Sequence, residues 1–295
     1  MTRPVVPEAE REIGVKHPVL THGYVVLVDY MGNDAAIVQA ARVSYGKGTK
    51  AVQDDRGLIR YLLRHRHTTP FEMVEFKFLV RLPIFVARQW IRHRMASVNE
   101  YSARYSIVPD EFEIPPAEEV RHQSSRNRQG RGDALPADVV ERFRTDLERI
   151  SKDAYSAYTR SLEAGVARET ARLLLPVAYY TQWYWKADLW NLFHFLSLRL
   201  DPHAQEEIRL YAAEMAKLTR LVAPVAYEAF EEFTLSGLSL SRREQVAVRS
   251  LLEGKTPEAA CAAAGLPLTR EDGKPMVSGE GVEFLEKLTR LRSAD

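Results

Sequence analysis

Apolar and polar positions alternate in a few short segments, and this alternation predicts the strands of a sheet. Between Glu75 and Leu82 apolar residues alternate with charged ones, which places the two kinds of side chain on opposite faces. The valine-rich segment Tyr24–Asp29 is typical of a buried strand. Aromatic residues alternate along Tyr179–Lys186, which predicts a third strand.

Helical periodicity accounts for much of the rest of the chain up to about residue 235. The helices predicted from it are Asn33–Arg42, Asp54–Arg64, Pro83–Arg94, Asp138–Ala164, Arg168–Leu175 and Asp188–Leu200. A last long helix is predicted from Asp201, its N-cap, to about Phe230, with Glu206 and Glu207 near its positive end. Strands and helices together predict an α+β fold, in which long helices flank a central, mostly antiparallel sheet.

Two segments differ in composition from this framework. Residues 117–137 are polar and contain glycine, which predicts a mobile surface loop inserted into the first domain. From about Ser236 the pattern breaks into short helical stretches that are separated by glycines, at Gly254, Gly265 and Gly273. We therefore expect one domain over residues 1–235, with a loosely ordered lead-in over residues 1–16, and a helical C-terminal extension over residues 236–295.

Composition and charge mainly exclude some classes of protein. The chain has 295 residues and a formal net charge of +1, so no global field attracts it to nucleic acid or to a membrane. No stretch approaches the ~20 apolar residues of a membrane helix, and the N-terminus lacks the apolar core of a signal peptide. Cys261 is the only cysteine, which excludes an internal disulfide and predicts a reducing, cytoplasmic location.

The densest group of polar residues lies at positions 92–105. It contains three arginines, one histidine, one glutamate, one asparagine and two serines. Bringing such groups together is costly unless an anionic, hydrogen-bonding ligand satisfies them, so the segment suits the phosphate, sugar and base of a nucleotide. Spacing alone leaves an alternative open, which is a surface ion-pair network of small energetic value.

Local geometry divides this group. At ~100° per residue, Gln89, Arg92 and His93 lie on adjoining parts of one face of the predicted helix. Arg94 points nearly opposite to Arg92, so the two arginines are expected to serve different ligands or subunits.

If residues 99–105 are extended, Glu100, Ser102 and Arg104 project to one side. Farther along the chain, Arg172 and Arg199 lie beside leucines, which indicates partial burial. A buried arginine requires an anion.

Several familiar sites are not present in the sequence. The histidines and the glutamate of Arg64–Glu72 lack a metal-ligand spacing, so we expect no metal. Neither Gly46–Gly48 nor Gly130–Gly132 completes a dinucleotide fingerprint, and a P-loop is missing, so a nucleotide or flavin must bind outside a Rossmann turn. Cys261 lies among alanines without a nearby histidine, a poor setting for an activated thiolate.

The segment at positions 92–105 also matches a family pattern. Arg92-His93-Arg94, followed after seven residues by Ser102, resembles the Arg-His-Arg-x7-Ser signature of the flavin-dependent thymidylate synthases. The similarity continues through His67–Glu72 upstream and through Arg168–Pro176 and Leu198–Ile208 downstream. It covers roughly residues 18–235, and agreement of these segments in the correct order is hard to obtain by chance.

The resemblance implies reductive methylation of dUMP to dTMP, with 5,10-methylenetetrahydrofolate as carbon donor and NADPH as reductant through bound FAD. It also implies a homotetramer whose active sites are shared between subunits. The residues it assigns to dUMP are Gln89, Trp90, Ile91, Arg92, Glu100, Tyr101, Ser102, Ala103, Arg104, Arg172 and Arg199. The residues it assigns to FAD are Thr69, Arg92, His93, Arg94, Glu100, Asp188, Leu189, Trp190 and His194, with Asn191 and His203 as further candidates.

Arg199 matches the arginine that polarises the uracil in this family, which implies a catalytic role. A fixed guanidinium in a low-dielectric pocket stabilises negative charge on the pyrimidine, and it can activate C5 without a covalent enzyme nucleophile. The chain departs from the family pattern at Met73, Trp190 and His194, where other members place histidine, arginine and asparagine.

Two other functions compete with this interpretation. Thr256–Leu266 faintly resembles the first part of a helix-turn-helix, which with the arginine-rich segment 117–137 suggests a nucleic-acid-binding module. The near-neutral charge disfavours that module, and a helical appendage packed on the oligomer is the simpler interpretation. A cysteine-dependent thymidylate synthase without flavin is the second alternative, and the setting of Cys261 disfavours it.

Overall fold

The structure is a computed structural model that describes residues 4–43, 55–124 and 130–293. These residues belong to two compact units, Met1–His122 with Asp133–Leu235, and Gln123–Gly132 with Ser236–Asp295. The Gly46-Lys47-Gly48 segment and the predicted helix start at Asp54 lie outside the described residues. None of the described helices is both long enough and apolar enough to cross a membrane.

An antiparallel sheet forms the centre of the first unit, as predicted for an α+β fold. Its strands are β1 (His17–Val19), β2 (Gly23–Met31), β3 (Glu75–Pro83), β4 (Ser97–Glu100) and β7 (Tyr180–Asp188). They lie in the order β1-β2-β3-β7-β4, and every neighbouring pair is antiparallel. The three predicted strands are confirmed. The apolar positions of β3 are fully buried, at Phe76, Phe78, Val80 and Leu82.

Helices surround this sheet close to where the periodicity predicts them. They are α1 (Pro7–Glu10), α2 (Asp34–Val43), α3 (Asp55–Arg64), α4 (Thr69–Glu72), α5 (Ile84–Trp90), α6 (Ala137–Glu163), α7 (Arg168–Ala171), α8 (Leu189–Arg199), α9 (Glu206–Val222) and α10 (Pro224–Phe230). A 3₁₀ turn, Arg172–Leu174, follows α7, and a π-helical turn, Glu231–Leu235, follows α10. The apolar sides of α8 and α9 belong to the same core as β3 and β7.

Two predicted helix boundaries are wrong. Helix α5 ends at Trp90, so Arg92, His93 and Arg94 lie beyond it and the helical-face argument does not apply to them. Trp90 is the last buried residue of α5, and packing of an apolar face is what stabilises most helices in proteins. The residues that follow are too polar to extend that face.

The helix predicted from Asp201 begins instead at Glu206, with Gln205 as its cap. Asp201 initiates a turn, in which its carboxylate accepts a hydrogen bond from the His203 backbone at 2.8 Å. The helix ends at Val222 because Pro224 lacks an N–H and starts α10. Glu206 lies in the first turn, as predicted.

The N-terminal lead-in and the segment 117–137 contain more regular structure than the sequence predicts. Helix α1 buries Ala9, so the described part of the lead-in is packed rather than loose. In the second segment, a 3₁₀ turn at Ala117–Glu119 precedes a two-stranded sheet of β5 (Arg121–Gln123) and β6 (Arg131–Ala134). Residues 125–129 lie outside the described part, and the mobility of the segment stays a prediction.

The second unit has a small core of its own. Its helices are α11 (Arg242–Leu252), α12 (Pro257–Ala263) and α13 (Glu280–Arg292). They pack around Ala247, Ala260, Cys261, Leu266 and Phe284. Side chains cap the first two helices, since Ser241 forms a capping box with Glu244 and Thr256 accepts the Ala259 N–H.

Candidate active site

An aromatic core supports the residues that follow α5. The Trp90 side chain is fully buried and stacks on Phe195 of α8, with 4.6 Å between the ring centroids. The His93 ring meets Phe195 edge to face at 5.0 Å. Because α5 and α8 are joined through these rings, the chain after Trp90 is held against the C-terminal half of α8.

A cavity of about 340 Å³ lies beside the ends of β4 and β7. Ile84, Val108, Leu175, Tyr180 and Thr181 line part of it. The other lining residues are five of those assigned to dUMP from the sequence, namely Glu100, Tyr101, Ser102, Ala103 and Arg172. These five come from two segments some seventy positions apart in the chain, so their convergence is a result of the fold.

The backbone at the cavity is extended only as far as Glu100. The Tyr101 N–H donates to the Gln182 carbonyl at 2.7 Å, and then the chain turns, with the Tyr105 N–H bonded to the Ser102 carbonyl at 3.0 Å. The expectation that Glu100, Ser102 and Arg104 project from one extended edge is therefore wrong. Arg104 pairs with Glu169 at 3.3 Å instead of lining the cavity.

The cavity contains an arginine without a carboxylate partner. Arg172 Nε donates to the Glu169 carbonyl at 3.3 Å. No carboxylate of the described residues lies within ion-pair distance of its guanidinium. Since Glu100 is on the same wall, the cavity presents a free cation and a carboxylate to one ligand.

A second polar group forms around Arg199 at the end of α8. Arg199 Nε donates to His93 Nε2 at 3.0 Å. Burial, with Arg199 and His194 nearby, lowers the pKa of His93 to about 4, so the imidazole is neutral at pH 7 and accepts this bond. Burial and the neighbouring Arg92 lower the pKa of Arg199. Two guanidinium groups therefore lie close together, and neither has an ion-pair partner among the described side chains.

This low pKa predicts that His93 destabilises the protein in acid. Between about pH 6.5 and about pH 4 the unfolded chain binds a proton that the folded His93 excludes, so the free energy of unfolding falls as the pH decreases through this range. The loss should be on the order of 1–2 kcal/mol once solvent screening is allowed for. Urea unfolding of the wild type and of His93→Gln, which keeps an acceptor but does not titrate, measures it.

The His93→Gln variant should lose less stability than the wild type over this range. His122→Gln removes an exposed histidine of β5 and is the matched control, which should follow the wild type. Parallel curves for the wild type and His93→Gln would contradict the assigned role of His93.

The remaining predicted site residues lie in several different environments. Gln89 donates to Gln205, Asp188 caps α8 by accepting the Asn191 N–H, and His203 contacts Asp201 at 2.9 Å. The exposed or partly exposed members of the set are Thr69, Ile91, Arg94, Trp190, Asn191, His194 and His203. The side chains of Trp90 and Leu189 are fully buried, so they belong to the core rather than to a ligand-facing surface.

The structure adds polar residues that were not predicted from the sequence. Thr181, in the wall of the cavity, donates to Glu100 at 2.7 Å. Tyr180 donates to Glu113, a glutamate only 4% exposed that also accepts the Thr21 N–H at 3.2 Å. Burial, followed by this bond to Glu113, raises the pKa of Tyr180, so its phenol stays protonated. The sequence contains one sign that Glu113 is buried, because this glutamate stands between two apolar residues, Phe112 and Ile114.

Comparison with known proteins identifies the family. The family model described as "Thymidylate synthase complementing protein" matches residues 26–225. A flavin-dependent thymidylate synthase from Gluconobacter oxydans (strain 621H) is 55% identical over 258 residues, which cover 86% of this chain and 85% of the relative. The chain belongs to the flavin-dependent thymidylate synthase family. The resemblance seen in the sequence is thereby confirmed.

A second relative and a solved structure are also similar to this chain. The protein from Rickettsia bellii (strain RML369-C) is 50% identical over 266 residues, which cover 86% of this chain and 90% of that protein. Among solved structures, the UMP/dUMP methylase PolB from Streptomyces cacaoi bound with 5-Br dUMP superposes with a TM-score of 0.66 at 38% identity. The match covers 74% of this chain and 99% of PolB.

Proposed function

We propose that the chain methylates dUMP reductively to dTMP, with 5,10-methylenetetrahydrofolate as carbon donor and NADPH as reductant through bound FAD. The observation that carries the proposal is the cavity in which Glu100, Ser102 and Arg172 converge, in a member of the flavin-dependent thymidylate synthase family. Its volume lies near the lower end of the ~300–1,000 Å³ that is usual for small-molecule sites. The structural similarity to a methylase bound with a dUMP analogue also supports dUMP as the substrate.

Each polar group has a task that suits its chemistry. Arg172 binds the phosphate, since its guanidinium is free to form paired hydrogen bonds with phosphate oxygens. Glu100 and Ser102 bind the sugar or the base edge. Arg199 stabilises negative charge as it develops on the pyrimidine, because it is held by neutral His93 and meets no competing carboxylate among the described residues.

The residues around Arg199 also fit a flavin. FAD carries a pyrophosphate, and Arg92, Arg94 and Arg199 provide positive charge that no carboxylate of the described residues neutralises within ion-pair distance. We propose that FAD is held by Thr69, Arg92, His93, Arg94, Glu100, Asp188, Trp190 and His194, with Asn191 and His203 as further candidates, and that Leu189 supports this site from the core. When bound, the flavin supplies the redox chemistry, while the protein binds it, orients it and keeps His93 neutral.

We further propose a homotetramer whose active sites are shared between subunits. The residues assigned to dUMP form two groups in one protomer, because Glu100 and Arg172 line the cavity whereas Arg199 contacts His93. Apolar side chains near the cavity are unusually exposed, among them Tyr105 at 72% and Leu173 at 79%. Burial of such a surface by a second copy of the chain is the expected arrangement.

A visible spectrum and a turnover assay test the proposed function. The purified protein should be yellow, with an oxidised flavin spectrum that disappears after denaturation and removal of small molecules. It should consume NADPH only when dUMP is present and should form dTMP when methylenetetrahydrofolate is added. A colourless protein that FAD cannot reconstitute would overturn the proposal.

The Cys261→Ala variant separates this function from a cysteine-dependent one. Cys261 is fully buried in the core of the second unit, and burial raises the pKa of its thiol, which makes it a poor nucleophile. We therefore expect Cys261→Ala to retain full turnover, and a loss of turnover would favour the flavin-free alternative. A single buried thiol also supports the proposed cytoplasmic location.

Nucleic acid is not part of the proposal. The three glutamates of helix α13, Glu280, Glu283 and Glu286, are balanced by Lys287, Arg290 and Arg292 on the same helix, so the helix presents no excess of positive charge to a phosphate backbone. We therefore retain the second unit as a helical appendage.

A further inference from the structure

We propose that Thr181 is a positioning residue of the nucleotide site, whose hydroxyl holds the Glu100 carboxylate on the cavity wall and away from the Arg172 guanidinium. The inference rests on the proposed function, because it assigns the cavity to dUMP. Thr181 contacts Glu100 and acts on the bound dUMP only through the Glu100 carboxylate.

The position of the Thr181 hydroxyl is firmly set by the sheet. Strand β7 pairs with β3 on one side, where Thr181 lies opposite Leu82, and with β4 on the other. Thr181 is only 7% exposed. A β-branched side chain also has few rotamers, so the hydroxyl points in a well-defined direction.

Glu100, in contrast, would be poorly held without this hydroxyl. It is the last residue of β4, which forms one edge of the sheet, and it is exposed. Its Oε1 accepts a hydrogen bond from Thr181 Oγ1 at 2.7 Å. Across residues 4–43, 55–124 and 130–293, no other side chain donates to Glu100 and no cation lies within ion-pair distance of it.

The charges inside the cavity explain why a neutral donor is needed there. Glu100 and Arg172 line the same cavity, where their opposite charges attract each other. A freely rotating Glu100 would approach Arg172 and neutralise the cation that the phosphate requires. The Thr181 hydroxyl orients the carboxylate without cancelling its charge, and it leaves Oε2 for a donor on the ligand.

The Thr181→Val variant tests this inference, because valine keeps the shape of threonine and removes the donor. We expect both KM and Kd for dUMP to rise about tenfold, the loss typical of one hydrogen bond to a charged group, with kcat changed less. Thr181→Ser restores a hydroxyl and should bring both constants back to near the wild-type values. The melting temperature should stay close to that of the wild type in both variants.

Thr219→Val is the matched control. Thr219 is a fully buried threonine of α9 whose hydroxyl donates to the Met215 carbonyl at 2.7 Å, so the same replacement removes a buried hydroxyl that does not line the cavity. It should leave KM for dUMP unchanged. In a Glu100→Gln background, Thr181→Val should add little, because a neutral glutamine is not attracted to Arg172.

Failure of this inference is distinct from failure of the proposed function. If the wild type forms dTMP while Thr181→Val keeps the wild-type KM and Kd for dUMP, or Thr181→Ser is as impaired as Thr181→Val, the positioning role is overturned. An undiminished effect in the Glu100→Gln background overturns it too. If Thr181→Val does not fold, Thr181→Ala and Thr181→Ser form the same comparison. A wild type that binds no dUMP overturns both proposals.

Discussion

Replacement of Arg199 by alanine is expected to lower the rate of dTMP formation by about 10²–10³-fold, while dUMP binds with far less change. The guanidinium interacts most strongly when negative charge has developed on the pyrimidine, so its removal affects the transition state more than the bound substrate. Single-turnover rates of dTMP formation, compared with Kd for dUMP from equilibrium dialysis, measure the two effects separately.

The surroundings of Arg199 explain why this effect should be large. Its Nε is bound to a neutral imidazole, so His93 orients the guanidinium without reducing its charge. Arg92 adds positive potential from nearby. A charge placed in this way before the reaction needs little reorganisation when negative charge appears on the substrate.

Arg149→Ala is the matched control for Arg199→Ala. Arg149 is an exposed arginine of α6 that pairs with Asp146 at 3.0 Å, and its loss should not change turnover. Equal losses in dTMP formation and in dUMP binding for Arg199→Ala would show that Arg199 only binds the substrate.

The elements that sequence patterns predict well are those with one strongly apolar face. Alternation along β3 predicts its start at Glu75, its end to within one residue and its buried side, because a strand period of two assigns every residue to a face. Helix ends are harder to predict, as α5 shows, since the apolar period continues to Arg92 and His93 although the helix ends at Trp90. Asp201 is a good N-cap by type, yet its carboxylate is used in a turn.

The site is less predictable than the sheet, for a reason of connectivity. Glu100 meets Thr181 because β4 pairs with β7, two strands far apart in the chain, and local patterns carry no information on such a pairing. Family resemblance therefore identifies Glu100 and Arg172 but does not reveal Thr181. The full burial of Trp90 likewise results from its packing against α8. The apolar period of α5 does not predict this contact, because the period says nothing about which other helix lies against it.

A mixture of two inactive variants, Arg172→Ala and Arg199→Ala, is expected to recover activity. If the cavity of one protomer works with Arg199 of another, a mixed pair of protomers contains one intact site and one site that lacks both arginines. Random pairing across a symmetric interface then gives about a quarter of the wild-type rate. Arg199→Ala alone should have about a hundredth of the wild-type rate or less, since it lacks the charge at the reacting pyrimidine. Arg172→Ala alone, which lacks the phosphate ligand, should be nearly inactive at dUMP concentrations near the wild-type KM.

Co-expression with two affinity tags, followed by successive purification on both, removes the oligomers of a single variant, so the isolated mixed oligomers should exceed about a quarter of the wild-type rate in the turnover assay. The matched control combines Arg172→Ala with Glu100→Ala. Both replaced residues line the same cavity, so each mixed site still lacks one of them and no activity should return. If mixed oligomers of Arg172→Ala and Arg199→Ala are equally inactive, each active site is built within a single protomer. The exposed apolar surface around Tyr105 and Leu173 would then serve assembly alone.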